Sequence, residues 1–281
     1  MTFDRLAFDT VIFAGGGSRC FWQAGFWERV RPALVRPPER LLGVSAGAMV
    51  AVASSAGLTT SLLATTADAF ESNSVNFQLS AVLSSKNPFP HEAIVRAAFD
   101  ALFDEAAMAR LADETPVHVL AAGLPHALPS FVASPLAQIA FVLEKASGRC
   151  LHGTWGMKLG FEPIWREASA CRSPTVLREL LLASSAIPPA FPVRRFEGRR
   201  AMDGGFVGNA LVEFDGRDLG RTLVLVTRHD WEIPEDDGRR RYERPCAPSP
   251  VSKLDATSGA RIRAAFSLGE ADGSRFLDKF A

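Results

Sequence analysis

The sequence has no surplus of charge of either sign and few cysteines. Its 31 lysines and arginines are balanced by 31 aspartates and glutamates, so the net charge at pH 7 is +0. Nucleic acids attract proteins through clustered positive charge, and this composition therefore gives no indication of a nucleic-acid partner. The four cysteines include no C-x-x-C pair. They argue against a disulfide scaffold and indicate reduced thiols.

Targeting signals are also lacking. The segment Met1–Thr10 contains Asp4, Arg5 and Asp9 and no apolar core, so a cleaved secretory signal is not expected. The uncharged stretch Leu41–Leu58 is rich in alanine, glycine and serine, which predicts a buried strand–turn–helix rather than a membrane span. We therefore expect a cytoplasmic protein. Transient contact with a membrane surface stays open, and the oligomeric state is unknown.

Short β-branched runs alternate with helical stretches, which is typical of a layered α/β fold. Strands are predicted at Thr10–Ala14, Arg40–Val44, Val117–Ala122, Arg200–Asp203 and Thr222–Thr227. Helices are predicted at Arg19–Val30, Ala46–Ala56, Glu92–Phe103, Pro135–Ala146 and Thr175–Ser184. We expect one domain over residues 1–281. Residues 122–165 are predicted to be an insertion or lid, and residues 231–250 a solvated loop.

The pattern Gly43-Val44-Ser45-Ala46-Gly47 lies between a predicted strand and a predicted helix. In that context G-x-S-x-G indicates a nucleophile elbow, a sharp turn that projects the serine hydroxyl. The backbone of such a serine is strained, so the residues two before and two after it must lack side chains. Gly43 and Gly47 occupy these places. A plain structural turn is the alternative interpretation.

A second glycine-rich segment, Gly15-Gly16-Gly17-Ser18-Arg19, follows the first predicted strand. Glycines at a strand end let backbone N–H groups converge on an anion or an oxyanion. A dinucleotide fingerprint would need a further glycine where Cys20 stands, and a P-loop would need a following Gly-Lys-Ser/Thr.

A third segment, Asp203-Gly204-Gly205, places a carboxylate in a tight turn at a strand end, although an ordinary Asp-Gly turn would look the same.

Together the three segments resemble the motifs of the patatin-like phospholipase family. The corresponding positions are the glycine-rich motif Gly15-Gly16-Gly17-x-Arg19, the nucleophile motif Gly43-x-Ser45-x-Gly47 and the motif Asp203-Gly204-Gly205. Motif order and spacing match over about residues 10–215, which leaves residues 216–281 as a C-terminal extension. The resemblance implies a three-layer α/β/α fold with a central mixed, mainly parallel sheet. It also implies hydrolysis of lipid esters without a cofactor or a metal.

The resemblance further implies a role for each matching residue. Ser45 would attack the ester carbonyl, and Asp203 would take the hydroxyl proton without a histidine. The N–H groups of Gly16 and Gly17 would stabilise the oxyanion, and Gly15 would shape the turn.

The residues that follow the glycines introduce two uncertainties. Arg19 would support the loop or bind a lipid phosphate. The family usually has a glycine next to it, where this chain has Cys20. If that position required a positive φ, the cysteine would strain the loop by about 1 kcal/mol or more and shift the oxyanion hole. A non-catalytic member that binds lipid or a partner is therefore an alternative, and Cys20 as nucleophile is another.

Two further hypotheses concern the surroundings of Ser45. His229 follows Asp203 as the histidine of a Ser-Asp-His hydrolase would, so a catalytic triad is an alternative to the dyad.

The uncharged run Thr115–Leu143 holds three prolines that prevent one spanning helix. Its segment Leu124–Leu136 could form a mobile apolar cover over Ser45, or the run could pack on the core as a helix.

Overall fold

The computed structural model describes residues 6–280 apart from residues 80, 82–86, 147–154 and 211–213. The strands are β1 (Thr10–Phe13), β2 (Arg40–Val44), β3 (Val117–Gly123), β4 (Glu162–Glu167), β5 (Arg194–Phe196), β6 (Arg199–Asp203), β7 (Thr222–Leu225) and β8 (Arg240–Glu243). The helices are α1 (Phe21–Val30), α2 (Ala46–Ser55), α3 (Thr59–Glu71), α4 (His91–Leu102), α5 (Glu105–Asp113), α6 (Ser130–Ala146), α7 (Trp155–Lys158), α8 (Pro174–Ser184) and α9 (Gly259–Asp278). Short 3-10 helices cover Gly17–Cys20, Arg31–Ala33 and Gly204–Phe206.

The strands form one mixed sheet in the order β5-β6-β3-β2-β1-β7-β8, with β4 also paired to β3. Strands β3, β2, β1, β7 and β8 run parallel to their neighbours, whereas β4, β5 and β6 add antiparallel pairs. Alternate residues of β1 enter different clusters, since Val11 and Phe13 pack on one face of the sheet and Ile12 on the other. Helices cover both faces, which confirms the predicted three-layer α/β/α fold.

The five predicted strands are all present, but β4, β5 and β8 were not predicted. The expectation of a solvated loop over residues 231–250 was wrong in part, because Arg240–Glu243 forms an edge strand beside β7. An edge strand can carry charged side chains toward solvent, so its arginines are compatible with a strand. Its one aromatic residue, Tyr242, is buried in the core.

The region predicted as an insertion contributes to the sheet. Its final residues form β4, which pairs with β3 from His118 to Gly123. The helix α6 begins at Ser130, earlier than the predicted start at Pro135, and continues through that proline. Proline removes only one hydrogen bond near the start of this helix, and the buried Ala133 and Ala137 hold the helix against the core.

The C-terminal residues pack on the rest of the chain through α9 and α1. A Cβ added to Gly25 would lie 2.0 Å from the carbonyl oxygen of Phe266, and one added to Gly269 would lie 2.1 Å from that of Trp22. Glycine is therefore needed for the close approach of the two helices. The Trp22 indole donates a hydrogen bond of 2.7 Å to Asp272 across the same contact. Within the described residues, no helix is long and apolar enough to cross a bilayer.

Candidate active site

The turn between β2 and α2 is sharp at Ser45, whose φ of 56° and ψ of −135° lie outside the ordinary regions for a non-glycine residue. A Cβ added to Gly43 would lie 2.4 Å from Cα of Ala48, and one added to Gly47 would lie 2.4 Å from the carbonyl oxygen of Phe13. Both glycines are thus required by the packing of this turn, as the G-x-S-x-G pattern predicted.

Two strand ends bring Ser45 and Asp203 together. Strand β4 pairs with one edge of β3. The opposite edge of β3 is shared by two strands: β2 pairs with its first half and β6 with its second half. Val44 pairs with Leu120, and Asp203 pairs with Ala121, the next residue of β3. Ser45 and Asp203 consequently line the same cavity.

The Asp203 carboxyl is buried and only partly hydrogen-bonded. Its Oδ1 accepts the Gly205 N–H at 2.7 Å, whereas Oδ2 is buried without a hydrogen-bond partner in the described part of the chain. Burial raises the pKa of Asp203, and the Lys253 charge, the Ser45 hydroxyl and the Gly205 N–H offset part of that rise. Oδ2 is therefore a free acceptor next to the serine.

Ser184, at the end of α8, holds the turn from behind. Its hydroxyl donates to the Leu120 carbonyl at 2.6 Å and accepts the Ser45 N–H at 3.0 Å. The bridge fixes the backbone of Ser45 relative to β3 and leaves the Ser45 side chain facing the cavity.

The glycine-rich segment lies directly beside Ser45. The Gly15 N–H donates to the Asn209 carbonyl at 3.4 Å, and the Gly15 carbonyl accepts from the Asn209 amide and the Thr227 hydroxyl, each at 3.3 Å. Among the described residues, the Gly16 N–H donates to no backbone carbonyl. Gly17 has a φ of 59° and begins a 3-10 helix, where N–H groups lack partners within the helix.

The geometry at Arg19 and Cys20 decides between the alternatives that the sequence left open for these two residues. Arg19 donates to the Gly16 carbonyl at 3.4 Å and lines neither cavity next to Ser45, so it supports the loop rather than facing a ligand. Cys20 has a φ of −66°, so the condition for strain, a positive φ at this position, is not met. Burial raises the pKa of the Cys20 thiol to about 12. The side chain is thus a neutral thiol and a poor nucleophile.

Two cavities meet at Ser45. The first has a volume of about 110 Å³ and lies between the serine and helices α2, α3 and α4. Its wall is mainly apolar and includes Met49, Val50, Leu62, Phe70 and Phe191. The second has a volume of about 130 Å³. It is more polar, with Asp203, Asn209, Gln138 and Lys253 in its wall.

Some residues singled out in the sequence lie elsewhere. His229 lines neither cavity and makes no hydrogen bond with Ser45 or Asp203, so the structure does not assemble a triad. Helix α6 does reach the second cavity, but through Gln138, Phe141 and Val142 rather than through the predicted cover Leu124–Leu136. Sequence reasoning missed Lys253, which no local motif marks.

The patatin-like phospholipase family model matches residues 11–214. The chain belongs to the patatin-like phospholipase family. Membership supports lipid acyl hydrolase activity in general, and the patatin-like match ends before β7. No curated protein matches the chain. Among solved structures, VipD from Legionella pneumophila is similar at 10% identity and a TM-score of 0.48, over 97% of this chain and 67% of that one.

Proposed function

We propose that this patatin-like protein is a serine acyl hydrolase that cleaves carboxylic esters of lipids with a Ser45–Asp203 dyad. The observation that carries the proposal is the placement of both side chains in one cavity at adjacent positions of the sheet. Ser45 is the nucleophile and Asp203 the general base.

Proton transfer uses the free oxygen of the carboxylate. Asp203 Oδ2 accepts the Ser45 hydroxyl proton as Oγ attacks the carbonyl carbon, and the protonated carboxyl then donates that proton to the leaving alcohol. Water releases the acyl group from Ser45 by the same steps in reverse. An ordinary aspartate, with a pKa of about 4, is a weak base for a serine. Burial raises the pKa of Asp203 and makes it a better one.

The glycine-rich segment supplies the oxyanion hole. The N–H groups of Gly16 and Gly17 are candidates for stabilising the tetrahedral intermediate, because neither donates to a backbone carbonyl outside the helices of the described chain. The Gly15 N–H is already bonded to Asn209 and shapes the turn instead. One donor of this kind contributes about 3 kcal/mol to transition-state stabilisation.

The mainly apolar cavity between Ser45 and helices α2 to α4 suits the acyl chain of the ester. Burial of a methylene group contributes about 0.8 kcal/mol, so the depth of this cavity would favour acyl chains of several carbons over acetate. The more polar cavity suits the alcohol part of the substrate. No cofactor takes part in this chemistry.

Purified variants and a p-nitrophenyl ester test the dyad. Ser45→Ala should abolish hydrolysis, and Asp203→Asn should lower kcat by about 100-fold to 10,000-fold because a general base is lost. His229→Ala is the matched control and should change kcat little. Turnover by folded Ser45→Ala would contradict the nucleophile, and a similar collapse in His229→Ala would favour a Ser-Asp-His triad.

A further inference from the structure

A short C-terminal segment, Val251–Ala256, forms part of the wall around Ser45 although it lies outside the family match. The Ser18 N–H donates to the Lys253 carbonyl at 3.0 Å, and the Ser18 hydroxyl donates to the Asp255 carbonyl at 2.7 Å. His91 Nε2 lies 2.8 Å from the Leu254 carbonyl oxygen. Backbone carbonyls of three successive residues therefore tie this segment to the glycine-rich loop and to α4.

The loop and the segment are in direct contact at Gly17. A Cβ added to Gly17 would lie 2.0 Å from the Lys253 carbonyl oxygen, so only glycine lets the two backbones approach this closely. The Asp255 carboxylate holds the end of the segment through Thr257 at 2.6 Å and Arg261 at 2.8 Å. The position of residue 253 is thus set by backbone contacts on both sides.

The Lys253 side chain lines both cavities next to Ser45. Its Nζ lies 5.5 Å from the ring centroid of Phe141, which places the ammonium group at the wall of the more polar cavity. The charge is close enough to lower the pKa of Asp203. Lys253 forms no ion pair with any described residue, although more than half of the described arginines form one.

No other lysine or arginine lines either cavity among the described residues. The resemblance gave Arg19 either support of the loop or a lipid phosphate, and its guanidinium donates to the Gly16 carbonyl and lines neither cavity. An ammonium that contacts an aromatic ring but has no ion-pair partner attracts phosphate or carboxylate as a point charge. The attraction of the Lys253 ammonium for an anion increases when Asp203 takes up a proton, because one nearby negative charge is then neutralised.

We infer that Lys253 is a specificity-determining residue that binds an anionic group, phosphate or carboxylate, on the alcohol side of the scissile ester. The inference deepens the proposed function and rests on it for the position of the ester. The substrates it selects are esters with a negative charge a few bonds from the ester oxygen.

Three water-soluble substrates with one acyl chain test this selection: 1-octanoylglycerol, its 3-phosphate, and the octanoyl ester of glyceric acid. All are used as monomers, so attraction to an anionic surface does not contribute. The readout is the ratio of kcat/KM for each anionic ester to that for 1-octanoylglycerol. Effects of a variant that are common to all three substrates, including a changed pKa of Asp203, cancel in this ratio.

Lys253→Met should lower the ratio by about 10-fold to 100-fold, the range expected for one charge-assisted hydrogen bond. Lys253→Arg should retain most of it. Both variants keep the backbone carbonyl that accepts the Ser18 N–H. Lys158→Met, at an exposed lysine away from both cavities, is the matched control and should leave the ratio unchanged. A loss confined to the phosphate or to the carboxylate ester identifies which anion Lys253 binds.

An unchanged ratio in Lys253→Met, with hydrolysis intact, would overturn the inference and leave the proposed function standing. A wild-type protein that hydrolyses none of the three esters would count against the proposed function instead. If none of the esters is hydrolysed, the role of Lys253 is tested without turnover, by measuring the binding of octyl phosphate to Ser45→Ala by calorimetry. The added Lys253→Met change should weaken this binding about 10-fold or more, and equal affinity would overturn the inference.

Discussion

Ser45 and Asp203 are held together by neighbouring residues of one strand, because Val44 pairs with Leu120 and Asp203 with Ala121 of β3. The separation of the two side chains is therefore set by the hydrogen-bond register of the sheet and not by a loop. A register shift of one residue would turn side chains to the opposite face. The candidate dyad is consequently as rigid as the centre of the fold.

The Ser184 hydroxyl, which hydrogen-bonds to both Ser45 and Leu120, should stabilise the folded protein. Ser184→Ala removes the hydroxyl that joins the Ser45 N–H to the Leu120 carbonyl and leaves both groups buried without a partner. We expect a loss of about 1 to 3 kcal/mol in the free energy of unfolding. Ser185→Ala is a matched control, since its buried hydroxyl has no partner in the described chain. It should be neutral or slightly stabilising, and urea unfolding measures both. Equal losses of unfolding free energy in the two variants would show that the two hydrogen bonds of Ser184 do not stabilise the fold.

Asp203 should reduce the stability of the fold at neutral pH. Burial raises its pKa, so the folded state binds a proton more tightly than the unfolded state does. The resulting penalty is full above the folded pKa and disappears as pH falls below the unfolded value. Asp203→Asn should therefore raise Tm at pH 8, and the gap to wild type should close as pH falls toward 4.

The exposed residue Asp218 has a pKa shift opposite in direction to that of Asp203 and serves as a comparison. The Gly220 N–H and Arg239 lower its pKa, so ionised Asp218 favours folding above the unfolded pKa. Asp218→Asn should lower Tm at pH 8. A Tm of Asp203→Asn below that of wild type at pH 8 would contradict the expected penalty.

Helix α6 presents an apolar surface next to the polar cavity. Phe131 is 80% exposed, and Ile139, Val142 and Leu143 are also more than half exposed. Exposed apolar clusters of this kind commonly contact other molecules or lipid. Phe131→Asp should reduce hydrolysis of esters presented in vesicles far more than hydrolysis of a monomeric octanoyl ester. Val35→Asp changes an exposed apolar residue away from α6 and is the control. Equal losses on both substrate forms would show that Phe131 makes no contact with a lipid surface.

Much of the candidate site could be predicted because its signals are local. Gly43 and Gly47 flank Ser45 within one turn, and their need for a missing side chain follows from that turn alone. The parallel strands were recognisable because buried strands read as continuous apolar runs. The sequence did not show which residue of the glycine-rich loop has a positive φ; it is Gly17 and not Cys20, so the cysteine does not strain the loop.

Other parts depend on contacts between distant residues. Lys253 reaches the cavity because its backbone bonds to Ser18, a contact no spacing within the chain announces. Strand β8 looks like a charged loop until the edge of the sheet is known. The position of α6 beside the polar cavity likewise depends on tertiary contacts such as that of Phe141 with Phe206, whose ring centroids lie 6.0 Å apart, and not on its own sequence.

Reaction with a fluorophosphonate tests the central claim most directly, because only an activated serine forms the adduct. Mass spectrometry of the digested protein should find one adduct, on the peptide that contains Ser45. Asp203→Asn should slow its formation strongly, and Ser45→Ala should prevent it. A folded wild-type protein that carries no adduct on Ser45 would contradict the account and favour a non-catalytic member of the family.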